Sequence, residues 1–241
     1  MDVFFDQYFD LSVMQDSFPD VLRAFWVTIK LTLLGAAFAM LLGLGVALLR
    51  RLEGGRWLPV RALAIAYTDA MRGIPLLLVV LLVSGSVPYL AFLPEWMRRP
   101  EFLGEQDIFW FGILSLTLVY GAYYGEVFRA GIESVPRGQT EAATVLGLSS
   151  TESLRHIVLP QALRTVIPPI VNDFTALLKD TSLIQVIGVV EVVQVGRQVQ
   201  AEQFNSSALV LGALFFLAVT LPLARLADSH IKRQQVRFER G

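Results

Sequence analysis

The sequence predicts an all-α, polytopic membrane protein of about five transmembrane helices. Three observations carry that class. Of 241 residues, 54% are hydrophobic and only 17% are charged, against roughly 25% charged in a soluble domain. The mean hydropathy is +0.57. Several apolar windows of about 20 residues are each long enough to cross a hydrocarbon core of roughly 30 Å.

The chain opens on Met1 to Asp20, which carries five Asp and no Lys or Arg. A signal peptide has a basic start, so the first apolar segment is expected to stay as a helix. Phe4, Phe5, Tyr8, Phe9 and Phe18 fit a segment resting on the outer interface; a disordered start is the alternative. The first span is drawn at 26–49, ending at Arg50 and Arg51. For the second, 74–92 is one clean window, and 58–83 is another that must include Asp69 and Arg72. The first is preferred, with 58–71 along the inner interface. The third span is drawn at 108–128. The fourth lies within 167–195 and is interrupted at Lys179 and Asp180. The fifth is drawn at 207–226. No internal repeat or low-complexity segment appears, so 1–241 reads as a single membrane domain.

Orientation follows from Lys and Arg in the short loops. One side collects twelve: Arg50, Arg51, Arg56, Arg61, Arg129, Arg137, Arg155, Arg164, Lys232, Arg233, Arg237 and Arg240. The other has four: Arg23, Arg98, Arg99 and Arg197. The first set is assigned to the cytoplasm, with the N-terminus outside and the C-terminus inside.

A polar loop at about 133–168 separates the third and fourth spans. Thr140 to Leu146 is rich in helix formers, and Gly147 suits the left-handed position just past a helix end. Ser149 and Glu152 have capping-box spacing, opening a second helix. Pro160 is expected to stop or bend that helix. Ala142, Ala143 and Gly147 form a small face that a partner can approach closely, and Glu141 complements the macrodipole. Two readings stand: a helix packed on the protein's own spans, or a docking helix.

Glu141-Ala142-Ala143, Gly147 and the ending Ile157-Val158-Leu159-Pro160 resemble the E-A-A motif of membrane subunits of binding-protein-dependent ABC importers. Arg72-Gly73-Ile74-Pro75-Leu76-Leu77, Tyr123 to Ile132, and Leu178-Lys179-Asp180-Thr181-Ser182-Leu183 are similar to motifs of that family's polar amino-acid branch. Two positions depart from the pattern. Tyr123 stands where Ala is usual, which alters a pocket wall, and Ile74 stands where a small polar residue is usual. The resemblance implies a type I importer permease fold and a multi-pass protein of a bacterial or archaeal cytoplasmic membrane. It implies that Glu141, Ala142, Ala143 and Gly147 form a coupling helix seated on a cytoplasmic ATPase dimer, with Leu159 and Pro160 fixing the loop's return. It further implies a second permease copy or a paralogue, and an extracytoplasmic solute-binding protein.

Ionisable groups at membrane depth cost about 2.5 to 3.5 kcal/mol each on insertion scales and are functional candidates by default. Those singled out are Arg72, Glu126, Asp173, Lys179 and Asp180. Lys30 lies near the outer end of its span, from which it can snorkel. Asp180, Thr181 and Ser182 are good capping residues and can break the fourth span into half-helices of the kind that line transport sites. The alternative is a Lys179–Asp180 salt bridge that only pins the break. Glu126 is either a pathway residue or an i,i+3 partner of Arg129. An amino acid brings a carboxylate and an ammonium. Arg72 or Lys179 can serve the first, and Asp173, Glu126 or Asn172 the second. Gly121 and Gly125 form a G-x-x-x-G, either a dimer seam or tight packing within the chain.

Without cysteines, disulfides and thiolate chemistry are excluded. His156 and His230 are isolated, which argues against a metal site or a catalytic dyad. Lys30, Lys179 and Lys232 follow Ile29, Leu178 and Ile231, never Gly, so no phosphate-binding loop exists. If transport is ATP-driven, as the resemblance implies, ATP and its Mg belong on a partner ATPase, and the chain is expected to be a transporter subunit rather than an enzyme. No nucleic-acid partner is expected. A stand-alone proton-coupled secondary carrier, with Glu126, Asp173 or Asp180 relaying the proton, is the alternative.

Overall fold

The computed structural model describes the backbone of residues 2–238. Within that range the side chains of residues 2, 137, 140, 150, 151, 228 and 230–238 are not described. Of the basic residues used for orientation, Arg137, Lys232, Arg233, Arg237 and Arg240 thus lie outside the described side chains. The described residues contain no strand, only one isolated bridge between Phe102 and Glu105.

A short α1 (Asp2–Tyr8) precedes α2 (Leu11–Arg50), α3 (Leu58–Gly73), α4 (Leu76–Ser86), the single turn α5 (Glu95–Arg98) and α6 (Asp107–Glu133). The loop helices α7 (Arg137–Val145) and α8 (Ser150–Ser153) follow, then α9 (Leu159–Asp180), α10 (Val192–Gln203) and α11 (Ser207–Phe238).

α2 is much longer than the first expected span. It begins at Leu11 because the Asp10 carboxylate accepts from the amides of Ser12 (2.8 Å) and Val13 (3.3 Å), satisfying donors that a helix start leaves free. At about 1.5 Å per residue its 40 residues exceed a bilayer. The N-terminal segment is helical rather than irregular. α1 is tied to the start of α11: Ser206 N donates to the Gln7 carbonyl (2.8 Å), Asn205 Nδ2 to the Asp6 carbonyl (2.8 Å), and Asp10 N to Ser207 Oγ (2.9 Å).

α2 and α6 run parallel and form the spine of the bundle. Lys30 of α2 pairs with Glu105 just before α6, so it is held by a partner rather than free to snorkel. Twenty residues further along, Arg50 pairs with Glu126 of α6. Between those ties the helices nearly touch. A Cβ on Gly43 would stand 2.8 Å from the Gly125 amide nitrogen and 2.9 Å from the Gly121 carbonyl. The G-x-x-x-G is therefore filled by this chain's own α2, which decides between the two readings of that motif.

Parallel neighbours require the intervening chain to return. It does so through α3 and α4, bent by 111°. Neither 58–71 on the interface nor a 74–92 span survives. α4 has 11 residues and gives way to a 3₁₀ turn at Val87–Tyr89, too short to cross alone. α3 climbs into the bundle, where Tyr67 donates to the Leu118 carbonyl at the middle of α6 (2.6 Å). Pro75 forces the break, since it lacks an amide donor and disfavours helix in the residue before it.

α9 returns antiparallel to α6, with Val166 against Gly131 and Asp180 beside Tyr120. Its α-helix ends at Asp180, a 3₁₀ segment spans Thr181–Ile187, and Gly188 turns left-handed (φ +93°) before α10. The predicted interruption is thus where the sequence puts it. Pro160, by contrast, does not stop its helix. A π turn at Leu154–Val158 absorbs the proline at the start of α9, and the helix runs on to Asp180. α11 carries the chain back once more. Among the described residues, helices α2, α6 and α11 are individually long and apolar enough to cross a membrane, or four spans if the α3–α4 pair counts as one. The remaining traverse is made by α9 together with the 3₁₀ segment after it, which continues past half depth to place Ile184 against Gly112.

Candidate translocation site and coupling loop

Two breaks meet at half depth. The α3–α4 bend brings Arg72, Gly73, Ile74 and Pro75 against α6. The end of α9 brings Asp173, Ala176 and Asp180. With Val119, Tyr120 and Tyr123 of α6 they enclose a cavity of about 430 Å³. A backbone that leaves its helix exposes polar groups, which membrane proteins tolerate where they line a cavity. The charge pattern is one guanidinium facing two carboxylates. Tyr120 donates to Asp180 Oδ2 (2.8 Å), and the Arg72 guanidinium lies over the Tyr123 ring at 5.6 Å, a cation–π contact.

Of the sequence candidates, Arg72, Asp173 and Asp180 converge here. The others go elsewhere. Glu126 accepts from Arg50 and from Arg129 Nε (3.1 Å) and Nη2 (2.7 Å), with Glu133 also on Arg129. It is a structural cross-tie between α2 and α6 and does not line the cavity. Asn172 is exposed on another face of α9. Thr181 is buried and donates to the Leu178 carbonyl (2.7 Å), while Ser182 donates to the Lys179 carbonyl (2.8 Å), so both hydroxyls serve the end of the helix. Lys179 forms no bridge to Asp180. It points instead into a separate apolar groove with Ser182 and α11. Tyr120 was missed by sequence. A phenol near the middle of a span needs a partner, and Asp180 is that partner only once α6 and α9 are packed.

The loop shows its geometry clearly. Leu148 N donates to the Ala143 carbonyl and Gly147 N to the Thr144 carbonyl, both at 3.0 Å, with Gly147 at φ +81°. This is a Schellman ending. Ser149 N donates to Glu152 Oε2 (2.9 Å) and Glu152 N returns to Ser149 Oγ (3.3 Å), the predicted capping box. The Ser149 hydroxyl bond, then the backbone bond, holds the Glu152 carboxyl below its ordinary value. Glu141, Ala142, Gly147, Leu159 and Pro160 are exposed. Ala143 is fully buried (0%), whereas Val145 (87%) and Leu146 (79%) stand out of the surface. Among the described residues, no group of three or more His, Asp or Glu is placed to hold a metal.

A helical membrane bundle with a charged cavity at half depth and an exposed, rigidly capped loop helix defines a transport subunit of the permease class. Residues 39–236 match the model of the binding-protein-dependent transport system inner membrane component, and the chain belongs to that family. It is 32% identical over 221 residues to a probable glutamine ABC transporter permease protein of Bacillus subtilis strain 168, covering 89% of this chain and 93% of that one. It is 33% identical over 232 residues to an arginine ABC transporter permease protein of Haemophilus influenzae, covering 93% and 99%. The crystal structure of an amino acid ABC transporter with histidines aligns with a TM-score of 0.78 at 27% identity, covering 93% and 98%. The resemblance carried by the sequence motifs holds, and these relatives are named as transport proteins, not enzymes.

Proposed function

We propose that the chain is the membrane-spanning subunit of an ATP-driven importer that moves a polar amino acid into the cytoplasm of a bacterium or archaeon. The observation that carries this is the half-depth cavity. Arg72 offers a planar donor fork for an α-carboxylate, and Asp173 and Asp180 offer acceptors for an ammonium. The size lies in the range of small-molecule sites. Relatives named for glutamine and arginine transport support the substrate class. One guanidinium against two carboxylates leaves an acidic excess, which favours a donor-bearing side chain.

Energy enters through α7. The helix presents Val145 and Leu146 to solvent next to Glu141, Ala142 and Gly147. We assign this apolar surface as the seat of an ATPase dimer that holds ATP and Mg. Closure of that dimer pulls on the loop; α9 leads without interruption from the loop to Asp180, so the pull reaches the cavity. A solute-binding protein delivers substrate from outside, and a second permease copy or a paralogue completes the path. Access then alternates between the two faces.

The test is uptake by vesicles containing the assembled complex. ATP-dependent uptake, lost in Arg72→Ala, supports the proposal; uptake driven by a proton gradient without the ATPase overturns it. Gly147→Val places a β-branched residue at a left-handed position. It is expected to preserve insertion and weaken co-purification of the ATPase.

A further inference from the structure

Two charges at half depth have no partner among the described residues. Asp69 on α3 and Lys179 on α9 are both exposed, and neither makes an ion pair or a side-chain hydrogen bond. Their depths can be compared through α6. Tyr67, two residues before Asp69, donates to the Leu118 carbonyl, and Asp180, next to Lys179, accepts from Tyr120. Leu118 and Tyr120 are two residues apart, roughly 3 Å along the axis. Both charges therefore lie close to one plane near the middle of a 27-residue helix, where facing lipid is costly.

Their surroundings are complementary in shape. At about 3.6 residues per turn, Ala62, Ala66, Asp69, Ala70 and Gly73 share one face of α3. All five are exposed, while Ala64 and Thr68 on the opposite face are buried. A face of small residues lets another helix approach closely. Lys179 lies in an apolar groove of about 450 Å³ bordered by Gly212, Ala213 and Thr220 of α11.

We propose that the small-residue face of α3 in one copy packs into the Lys179 groove of a second copy, with Asp69 pairing with Lys179 of the partner subunit. A two-fold axis along the membrane normal keeps each residue at its own depth. It would generate the pair twice, as an isologous contact requires. The proposal rests on the reading of the chain as one of two permease copies, and it assigns the residues that join them.

The chain has no cysteine, so single cysteines report cleanly. Two differently tagged copies, one Asp69→Cys and the other Lys179→Cys, are assembled with the ATPase and treated with a short bis-maleimide. Expected are co-purification of the tags and a cross-linked permease dimer, absent when either cysteine is missing. The charge reversals Asp69→Lys and Lys179→Asp should each lower uptake at least about tenfold, and the double reversal should recover most of it. Co-purification without cross-linking, with both cysteines labelled by a small hydrophilic thiol reagent, overturns the pair and leaves the two-copy reading intact. Failure of the tags to co-purify overturns both.

Discussion

At the scale of single residues, identity and neighbourhood divide the candidates. Asp180 and Lys179 are adjacent in sequence, yet one faces the charged cavity and the other an apolar groove, because successive helical residues point about 100° apart. Glu126 sits inside a motif shared with the family, but Arg50 and Arg129 occupy its carboxylate. Tyr120 is the clearest test of the cavity. Tyr120→Phe removes only the hydroxyl that reaches Asp180. We expect KM for uptake to rise by up to about tenfold, equivalent to about 1.4 kcal/mol, with unchanged assembly by size exclusion. An unaltered KM would take Tyr120 out of the site.

At the scale of elements, close approach and capping do most of the organising. α2 and α6 meet through Gly43, Gly121 and Gly125, where backbone touches backbone. Gly43→Ala has no flexible side chain to push aside, so the helices must separate. The expected cost is about 1 to 3 kcal/mol, read as a lower melting temperature of the detergent-solubilised chain. The loop depends on charge instead. Because Ser149 holds the Glu152 pKa below its ordinary 4.5, the capping box stabilises the loop above the unfolded pKa. That contribution disappears as pH falls through the folded value. The protection of the Ser149 amide against exchange, relative to its intrinsic rate at each pH, should fall as pH drops through the folded Glu152 value, and Glu152→Ala should lack that protection at neutral pH as well. A protection factor independent of pH and of Glu152 would remove the capping box from the account.

At the scale of the whole molecule, the parallel α2 and α6 set the order of traverses and place the α7 loop at the opposite end from α1. With the basic residues assigned to the cytoplasm, Ser149→Cys should react with an impermeant maleimide only in inverted vesicles, and Glu95→Cys only in intact cells. The reverse pattern would turn the ATPase seat to the wrong side. Much of this was written in the chain. The Ser149–Glu152 box, Gly147 and the break after Asp180 are local signals, and each survives in three dimensions because its physical cause is local; the apolar windows announced a helical bundle but not the limits of its spans. The α3–α4 bend, the helix continuing past Pro160 and the length of α2 were not legible, because packing and a π turn override local proline and hydropathy signals. Which charges share a cavity was decided only by the tertiary structure. Arg72, Tyr120, Asp173 and Asp180 lie on three separate helices, and no spacing along one strand of sequence encodes how those helices turn toward one another.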